Sequence, residues 1–296
     1  MADVEGRLIA ASRHLDEGQP QRAEQACREI LKNDPNQPEA EFHLGKALEA
    51  QGRHEEALAC HERTLWLRPT RRWRVIQAAV ARLRAKSYLE IGVSTGETFR
   101  RVAAPRKIGI DPIAPTAAVQ REVARPGAEF HRMTSDQFFA THAGTLQQQG
   151  IDVAFVDGLH TYAQSLVDVH HCLRYLTPGG VILVHDCNPP SAAAAVAASS
   201  LEEVAAIKPP GWRGAWTGDV WKTVVDLRSS CADVTVCVLD CDFGVGLIVK
   251  RPARGLLPYS PQEILRWTYD DLKARRKELL DLQPPERLFR LIGETA

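Results

Sequence analysis

The chain has 296 residues, of which 44% are hydrophobic and 25% are charged, as is usual for a globular protein. This length suits one α/β domain with a small companion, or two modest domains. Its 37 Lys and Arg residues balance its 37 Asp and Glu residues. The chain therefore lacks the overall basic excess that would favour binding to nucleic acid or to an anionic membrane.

The sequence lacks the usual signs of export, membrane insertion and cross-linking. Its first ten residues contain no long apolar run of the kind found in signal peptides, and no apolar stretch approaches the roughly 20 residues of a membrane span. The seven cysteines are an odd number without a C-x-x-C pair, which argues against a disulfide framework and a structural zinc site. We therefore expect a cytoplasmic protein.

Residues 1–70 contain a sequence repeat. Four residues recur unchanged at an offset of 34 residues, in the pairs Gly18 and Gly52, Ala23 and Ala57, Leu31 and Leu65, and Pro35 and Pro69. At the same offset, the small residue Ala11 corresponds to the small residue Gly45. This pattern resembles the tetratricopeptide repeat, a helix–turn–helix unit in which small residues let two helices approach closely. A generic amphipathic helical hairpin is the alternative.

Two repeats are fewer than the roughly three that bury a continuous core. Residues 71–86 are predicted to form a further helix that caps the stack and leads into the next domain. We expect the repeats to dock on that domain, on a protein partner or on a second copy of the chain, as in a homodimer.

From residue 87 onward, short apolar strands alternate with helices. The predicted strands span residues 88–91, 107–111, 128–133, 151–157 and 181–184, followed by two more at 231–238 and 244–250. Alternation of this kind predicts a mostly parallel sheet with helices on both faces.

Four carboxylates, Glu90, Asp111, Asp157 and Asp186, lie at or near the ends of these strands. In parallel sheets, ligands bind beyond the carboxyl ends of the strands. Burial of four carboxylates is costly without partners, so a shared polar site explains them better than core packing does.

The loop after the first strand reads Glu90-x-Gly92-x-Ser94-x-Gly96. It resembles motif I of class I S-adenosyl-L-methionine-dependent methyltransferases, E/D-x-G-x-G-x-G, with Ser94 in place of the middle glycine. The acid within the strand, and Asp111 at 21 residues beyond it, favour S-adenosylmethionine over NAD. The resemblance implies that this loop binds the cofactor and that Asp111 accepts hydrogen bonds from its ribose.

The resemblance covers roughly residues 86–252. It implies a Rossmann-like, mostly parallel seven-stranded sheet with an antiparallel last strand, in a methyltransferase domain at residues 87–252. Ser135, Asp136 and Asp157 are also predicted to contact the cofactor. Residues 253–296 are predicted to form a C-terminal helical extension, helical until about residue 282.

Two further segments resemble a subgroup of small-molecule methyltransferases. The motifs D-G-x-H-x-Y, from Asp157 through His160, and P-G-G-x-x-x-x-H-D, ending at His185 and Asp186, resemble segments of macrocin-type sugar O-methyltransferases and cephalosporin-hydroxylase-like proteins. Acids in those relatives bind magnesium, and the resemblance places metal ligands at Asp157, His185 and Asp186. The relatives carry Asp or Glu at the position of His185, whereas magnesium prefers oxygen ligands.

Three alternatives follow for this site. Asp157 and Asp186 hold Mg²⁺ with waters, or the site holds another, softer divalent metal, or it holds no metal. In the last case His160 or His185 acts as the general base, so the predicted catalytic residues are His160, Asp157 and His185. A histidine hydrogen-bonded to backbone is the structural alternative for His160.

Residues 188–222 form a long, turn-rich connection that is predicted to be a lid. Its three tryptophans, Trp212, Trp216 and Trp221, predict either a substrate-facing or docking surface, or packing against the sheet. Asp219 and Lys222 are predicted to contact the acceptor or to pair with each other.

The sequence predicts an enzyme that methylates oxygen in a hydroxylated small molecule or sugar, within a biosynthetic pathway. N-methylation stays open because no acceptor-specific pattern is visible. The alternative is a catalytically weak or inactive scaffold that recruits protein partners through its repeats. A hydroxylase-like enzyme would need a facial triad of metal ligands, and no convincing spacing is present.

Overall fold

The structure of the protein, a computed structural model, describes residues 2–293. Its N-terminal part is a stack of four helices in which each packs against the next. They are α1 (Ala2–Asp16), α2 (Pro20–Asn33), α3 (Pro38–Ala50) and α4 (His54–Trp66).

The small residues of the repeat lie where helices meet. Ala11, Ala23 and Ala57 are fully buried, and a Cβ on Gly45 would come within 2.6 Å of the His61 ring. Gly18 and Gly52 both have left-handed backbone, as the turns between paired helices require. This arrangement confirms the predicted helix–turn–helix units.

The linker segment forms α5 (Arg72–Leu83), as predicted. Every residue from Trp73 to Val80 is buried, because the helix lies between the repeats and the sheet. Leu65 of the repeats, Ile76 of α5 and Val153 of the sheet belong to one apolar cluster. The repeats therefore dock on the neighbouring domain through this helix.

The sheet has eight strands in the order β3-β2-β1-β4-β5-β7-β6-β8. Their bounds are β1 (Ser87–Ile91), β2 (Arg106–Ile110), β3 (Ala128–His131), β4 (Ile151–Val156), β5 (Leu176–Val184), β6 (Thr235–Leu239), β7 (Val245–Val249) and β8 (Leu282–Gln283). Strands β1 to β5 are parallel, and β7 is antiparallel to both β5 and β6. This confirms the predicted Rossmann-like sheet with an antiparallel strand near its end.

The observed strands differ from the predicted ones by more than one residue in four places, the first being β3, which ends at His131, two residues before its predicted end. Strand β5 begins at Leu176, five residues early, and an irregularity in its pairing with β4 accommodates the Pro-Gly-Gly segment. Strand β6 begins at Thr235, because Cys231 still donates its N–H to the last turn of the preceding helix. Strand β8 was not predicted, and it extends the sheet beyond β6.

The remaining helices cover the sheet or follow it. They are α6 (Glu97–Arg101), α7 (Ala117–Val123), α8 (Ser135–Gln149), α9 (Tyr162–Tyr175), α10 (Leu201–Ile207), α11 (Trp221–Ser230), α12 (Pro261–Arg266), α13 (Tyr269–Leu280) and α14 (Leu288–Gly293), with a 3-10 turn at Pro285–Arg287. The C-terminal segment is therefore helical up to Leu280, after which it returns to the sheet edge and packs α14 against α5. Residues 294–296 of the predicted extension lie outside the described residues.

Across residues 2–293, no helix is both long enough and apolar enough to cross a bilayer.

Candidate active site

The carboxyl ends of β1, β2, β4 and β5 open into a cavity of about 830 Å³. Ten of the predicted site residues line it: Glu90, Gly92, Ser94, Asp111, Ser135, Asp136, Asp157, His160, His185 and Asp186. Gly96 lies between two other lining residues, Thr95 and Glu97. The structure thus brings together the strand-end acids that the sequence predicted to share a site.

The motif I loop lies against the end of β4. Gly92 has φ +85°, and a Cβ at this position would lie 2.0 Å from the carbonyl oxygen of Asp157. Only glycine tolerates both the conformation and the contact. Ser94 also has left-handed backbone, and its N–H donates to Asp111 Oδ2 at 2.8 Å. Asp111 therefore holds the loop in place through its own side chain.

Glu90 is 1% exposed and accepts a hydrogen bond from the hydroxyl of Tyr88. Burial raises the pKa of Glu90 to about 8, although the bond from Tyr88 acts in the opposite direction. A nearby cation would favour the ionised form. The motif implies that this acid either orders the loop or meets the cationic end of the cofactor, and both roles of Glu90 stay predictions.

Two carboxylates and two imidazoles form the centre of the cavity. His185 Nδ1 lies 3.2 Å from Asp157 Oδ1 and 3.3 Å from Asp186 Oδ1. His160 Nε2 lies 3.5 Å from Asp157 Oδ1, and His160 Nδ1 lies 3.3 Å from Asp186 Oδ2. We call these four residues the acid–histidine cluster.

Charge within the cluster shifts the pKa of its members. Burial disfavours the ionised form of Asp157, but the charge of His185 and hydrogen bonds from both imidazoles hold its pKa below the usual range. Burial also disfavours protonation of His160 and His185, yet the two carboxylates raise the pKa of each imidazole. Opposite charges within the cluster therefore stabilise one another.

Three members of the cluster, Asp157, His160 and Asp186, offer ligand atoms within 4.8 Å of one another. Asp186 has left-handed backbone, and its buried Oδ2 accepts no hydrogen bond among the described residues, although His160 Nδ1 lies 3.3 Å away. A strained residue with an unsatisfied carboxylate oxygen is typical of a functional site. Two carboxylates and an imidazole fit a divalent metal.

The histidine in this metal set differs from the predicted one. The sequence places His185 beside Asp157 and Asp186, and the structure has it there, but the atoms that lie within 4.8 Å of one another and could hold an ion include those of His160. The His185 side chain is only 6% exposed, against 23% for His160, although both residues line the cavity. The roles of these residues stay predictions.

The predicted lid contacts the cluster through Trp216. His160 Nδ1 lies 3.1 Å from the carbonyl oxygen of Trp216, and the two rings are 4.9 Å apart. The backbone contact expected for His160 is therefore present beside its carboxylate contacts. Trp221, by contrast, is 1% exposed and belongs to the core. Trp216 thus lies beside the cluster and Trp221 packs in the core, so these two tryptophans correspond to the two expected roles.

Asp219 and Lys222 pair with each other at 3.3 Å, the second of the two predicted alternatives. Asp219 Oδ1 also accepts the N–H of Tyr162 at 2.7 Å, and Lys222 donates to the carbonyl of Leu265. Neither residue lines the 830 Å³ cavity. Both side chains hold α9, α11 and α12 together.

Several polar residues of the cavity were not predicted, among them Arg72 and Asp168. Asp168 is buried on α9 and accepts a hydrogen bond from Gln164, four residues earlier. This polar pair on a buried helix face was a usable signal. Arg72 begins α5, and no motif or fixed spacing in the sequence relates it to the strand ends. Its position in the cavity therefore could not be predicted from a local pattern.

Comparison with known families agrees with both parts of the fold. Residues 14–86 match a tetratricopeptide repeat family model, and residues 89–187 match a family model described as a methyltransferase domain. The second part of the chain is a methyltransferase domain. With its motif I loop and strand-end acid, it is an S-adenosylmethionine-dependent enzyme, as the sequence predicted. No curated protein matches the chain significantly.

Several solved structures are similar to the methyltransferase at low sequence identity. The O-methyltransferase TomG from Streptomyces achromogenes, involved in tomaymycin synthesis and solved with S-adenosylmethionine, is 18% identical, with a TM-score of 0.40, and the match covers 67% of this chain and 89% of that one. An O-methyltransferase family protein from Burkholderia thailandensis is 15% identical (TM-score 0.42; 70% and 63% covered).

A third similar structure is the MycE methyltransferase from the mycinamycin biosynthetic pathway, solved with Mg, S-adenosylhomocysteine and mycinamycin VI. It is 14% identical, with a TM-score of 0.40, and the match covers 72% of this chain and 62% of that one. At such identities and TM-scores, the ligands of these three proteins are not assigned to this chain.

Proposed function

We propose that this methyltransferase transfers the methyl group of S-adenosylmethionine to a hydroxyl oxygen of a small molecule. The observation that carries the proposal is the position of the acid–histidine cluster. It lies in the same cavity as the motif I loop and Asp111, which are the predicted cofactor contacts. A donor bound by that loop and an acceptor bound at the cluster would share one enclosed space.

The reaction asks little covalent chemistry of the protein. The acceptor oxygen attacks the methyl carbon, and the carbon–sulfur bond breaks with its electron pair on sulfur, which leaves S-adenosylhomocysteine. The protein must align the two reactants and accept the proton of the hydroxyl group. His160 lines the cavity, and in its neutral form this imidazole would take that proton. His185, deeper in the site, holds both carboxylates.

A divalent cation fits the same site. Asp157, His160 and Asp186 are the residues that would hold it, because their ligand atoms already lie close together. Such an ion, when bound, lowers the pKa of a hydroxyl and orients it. In that version Asp157 and Asp186 would hold the ion beside the acceptor, and a solvent water molecule would take the proton of the hydroxyl group.

The cavity wall favours an acceptor with an apolar part. Leu159, Leu201 and Phe243 line the cavity and are 44%, 48% and 42% exposed. Large apolar side chains on a cavity wall bind apolar ligand surface. We infer a hydroxylated small molecule that combines a polar end, placed at the cluster, with an apolar body, as in a biosynthetic intermediate.

Calorimetry with S-adenosylmethionine and S-adenosylhomocysteine tests the cofactor part of the proposal. The wild-type protein is expected to bind both, and absence of affinity for either would favour a scaffold without enzymatic activity. Methyl transfer is then measured with methyl-labelled S-adenosylmethionine and a metabolite extract, with and without EDTA.

The product and the effect of EDTA separate the remaining alternatives. Labelled methyl on oxygen supports the proposal, whereas label on nitrogen contradicts it. Inhibition by EDTA, matched by loss of activity in Asp186→Asn, assigns the metal version. Activity that persists in EDTA but is lost in His160→Gln assigns the metal-free version. Full activity in both variants would exclude the cluster from the chemistry.

A further inference from the structure

Arg72 begins the helix that joins the repeats to the methyltransferase domain, yet its side chain lines the catalytic cavity. The guanidinium is 19% exposed and has oxygen neighbours on every side. Its Nε lies 3.0 Å from Thr98 Oγ1 and 3.7 Å from Asp157 Oδ2, Nη2 lies 3.3 Å from Glu97 Oε2, and Nη1 lies 3.3 Å from Asp242 Oδ2. A side chain held at so many points has little freedom to move.

The two carboxylate oxygens of Asp157 face different neighbours. Oδ1 faces the imidazoles of His160 and His185, whereas Oδ2 faces Arg72. Arg72 is thus the cation on the side of Asp157 that the histidines leave open. A carboxylate supported on both sides keeps one orientation, and such outer supports tune the ligands they touch.

Asp242 fixes Arg72 in turn. Its side chain is 2% exposed, and Oδ2 accepts the backbone N–H of Arg72 at 2.9 Å as well as facing the guanidinium. Asp242 and Phe243 both have left-handed backbone, which is uncommon for such residues and typical of functional sites. The same turn accepts the N–H of Asn188 through Phe243, two residues beyond Asp186. One strained turn therefore contacts both α5 and the strand end of the cluster.

We propose that Arg72 is a positioning residue for Asp157, held in place by Asp242, and that α5 makes the repeats a structural part of the active site. This inference rests on the proposed function, which assigns Asp157 to the reaction centre. The contacts then form one series: the repeats hold α5, α5 and the β6–β7 turn hold Arg72, and Arg72 holds Asp157.

The test uses the full-length chain and a substitution that keeps the charge. Arg72→Lys retains the positive charge but loses the planar group that spans several oxygens. The variant is expected to bind S-adenosylmethionine within about threefold of wild type, and Mn²⁺ roughly ten- to a hundredfold more weakly, because loss of such a support commonly has that effect. Mn²⁺ binding is measured by electron paramagnetic resonance, and cofactor binding by calorimetry.

Arg71→Lys is the matched control. Arg71 also pairs with Asp242, at 3.4 Å, but its side chain is 48% exposed and has no contact with the cluster among the described residues. Its Mn²⁺ affinity is expected to equal that of wild type. Wild-type Mn²⁺ affinity in Arg72→Lys would overturn the inference, because lysine replaces without loss a residue that acts on Asp157 only through its charge. If Arg72→Lys does not fold, Asp242→Asn is tested with the same expected weakening and the same contradicting result.

Failure of the proposed metal site has a different signature. If the wild-type protein itself has no affinity for Mn²⁺, the metal version of the function is wrong, and a crystal structure of Arg72→Lys decides the inference. An Asp157 side chain that has turned away from His185 Nδ1 supports the positioning role. An Asp157 side chain in the wild-type orientation overturns it.

Discussion

At the scale of single residues, Glu90 shows how burial changes the behaviour of a carboxyl group. In the folded protein its pKa is raised from 4.5 to about 8, so the folded state keeps a proton that the unfolded chain loses between these values. The unfolded state then binds fewer protons than the folded state, and the free energy of unfolding falls as pH rises through this window. Above about pH 8 both states are ionised and the dependence ends.

Glu90→Gln is expected to remove this dependence, because an amide does not titrate and still accepts the bond from Tyr88. Relative to wild type, the variant should therefore gain stability as pH rises from about 5 to about 8. Urea unfolding of both proteins at several pH values measures the difference. Parallel pH profiles would contradict the assigned pKa shift.

Asp111 combines two tasks in one carboxylate. It accepts backbone N–H groups from Ser94 and from Ile113, each at 2.8 Å, and the motif resemblance adds the ribose of the cofactor. Asp111→Ala is expected to weaken S-adenosylmethionine binding roughly ten- to a hundredfold, since a hydrogen bond to a charged group contributes about 1.5–3 kcal/mol. Calorimetry measures the loss, and circular dichroism confirms the fold. Unchanged affinity in a folded variant would remove Asp111 from the site.

At the scale of elements, the sequence predicted what local patterns determine. Strands β1, β2 and β4 are mainly apolar runs with an acid at or next to the last residue, and their limits were predicted within a residue. Strand β8 has only two residues, and its pairing with β6 depends on the fold around it. No local pattern reveals such a strand.

The site residues likewise include some that local sequence patterns predict and others that depend on the surrounding fold. The strand-end acids and the motif I loop were predicted because each lies at a fixed place relative to its own strand. The contact between Arg72 and Asp157 joins residues 85 positions apart through packing of α5, and sequence spacing contains no trace of it. Burial likewise differs between His160 and His185, two strand-end histidines that look alike in sequence, and their roles stay predictions.

The lid segment has one residue that fixes its distance from the cluster. Gly218 has φ +58°, and a Cβ there would lie 1.7 Å from the carbonyl oxygen of His160. Gly218→Ala is expected to push the segment away from His160, with a loss of stability above about 1 kcal/mol and weaker Mn²⁺ binding. Gly211→Ala is the matched control, because Gly211 has φ +77° but open space around it. Equal effects of the two substitutions on Mn²⁺ binding would show that the contact with His160 is unimportant.

At the scale of the whole molecule, the repeats and the methyltransferase domain share contacts beyond α5. Asp16 of α1 pairs with Arg125 at 2.9 Å, and Lys46 of α3 donates to the carbonyl of Arg101. The expected docking of the repeats on the neighbouring domain is therefore present in the structure. A protein partner or a homodimer through the repeats stays a prediction, and it would use the surfaces that this docking leaves free.

Because one apolar cluster runs from α4 through α5 to the sheet, the two parts are expected to unfold together. Arg74 tests this, since it is 2% exposed on α5 and pairs with Glu39 of the repeats at 2.6 Å. Glu39→Ala leaves a buried cation without this partner and is expected to cost about 1–3 kcal/mol, whereas Glu55→Ala, whose pair with Arg84 is exposed, should cost less than about 0.5 kcal/mol.

Urea unfolding followed by fluorescence and by far-ultraviolet circular dichroism measures both variants. We expect a single transition for wild type by both probes, and a lower midpoint with unchanged slope in Glu39→Ala. Two separate transitions, or a Glu39→Ala effect confined to one of them, would mean that the repeats fold as an independent unit. In that case α5 would hold Arg72 without help from the repeats, and removing residues 2–66 would leave Mn²⁺ affinity intact. A single shared transition instead makes the repeats part of the support of the catalytic site.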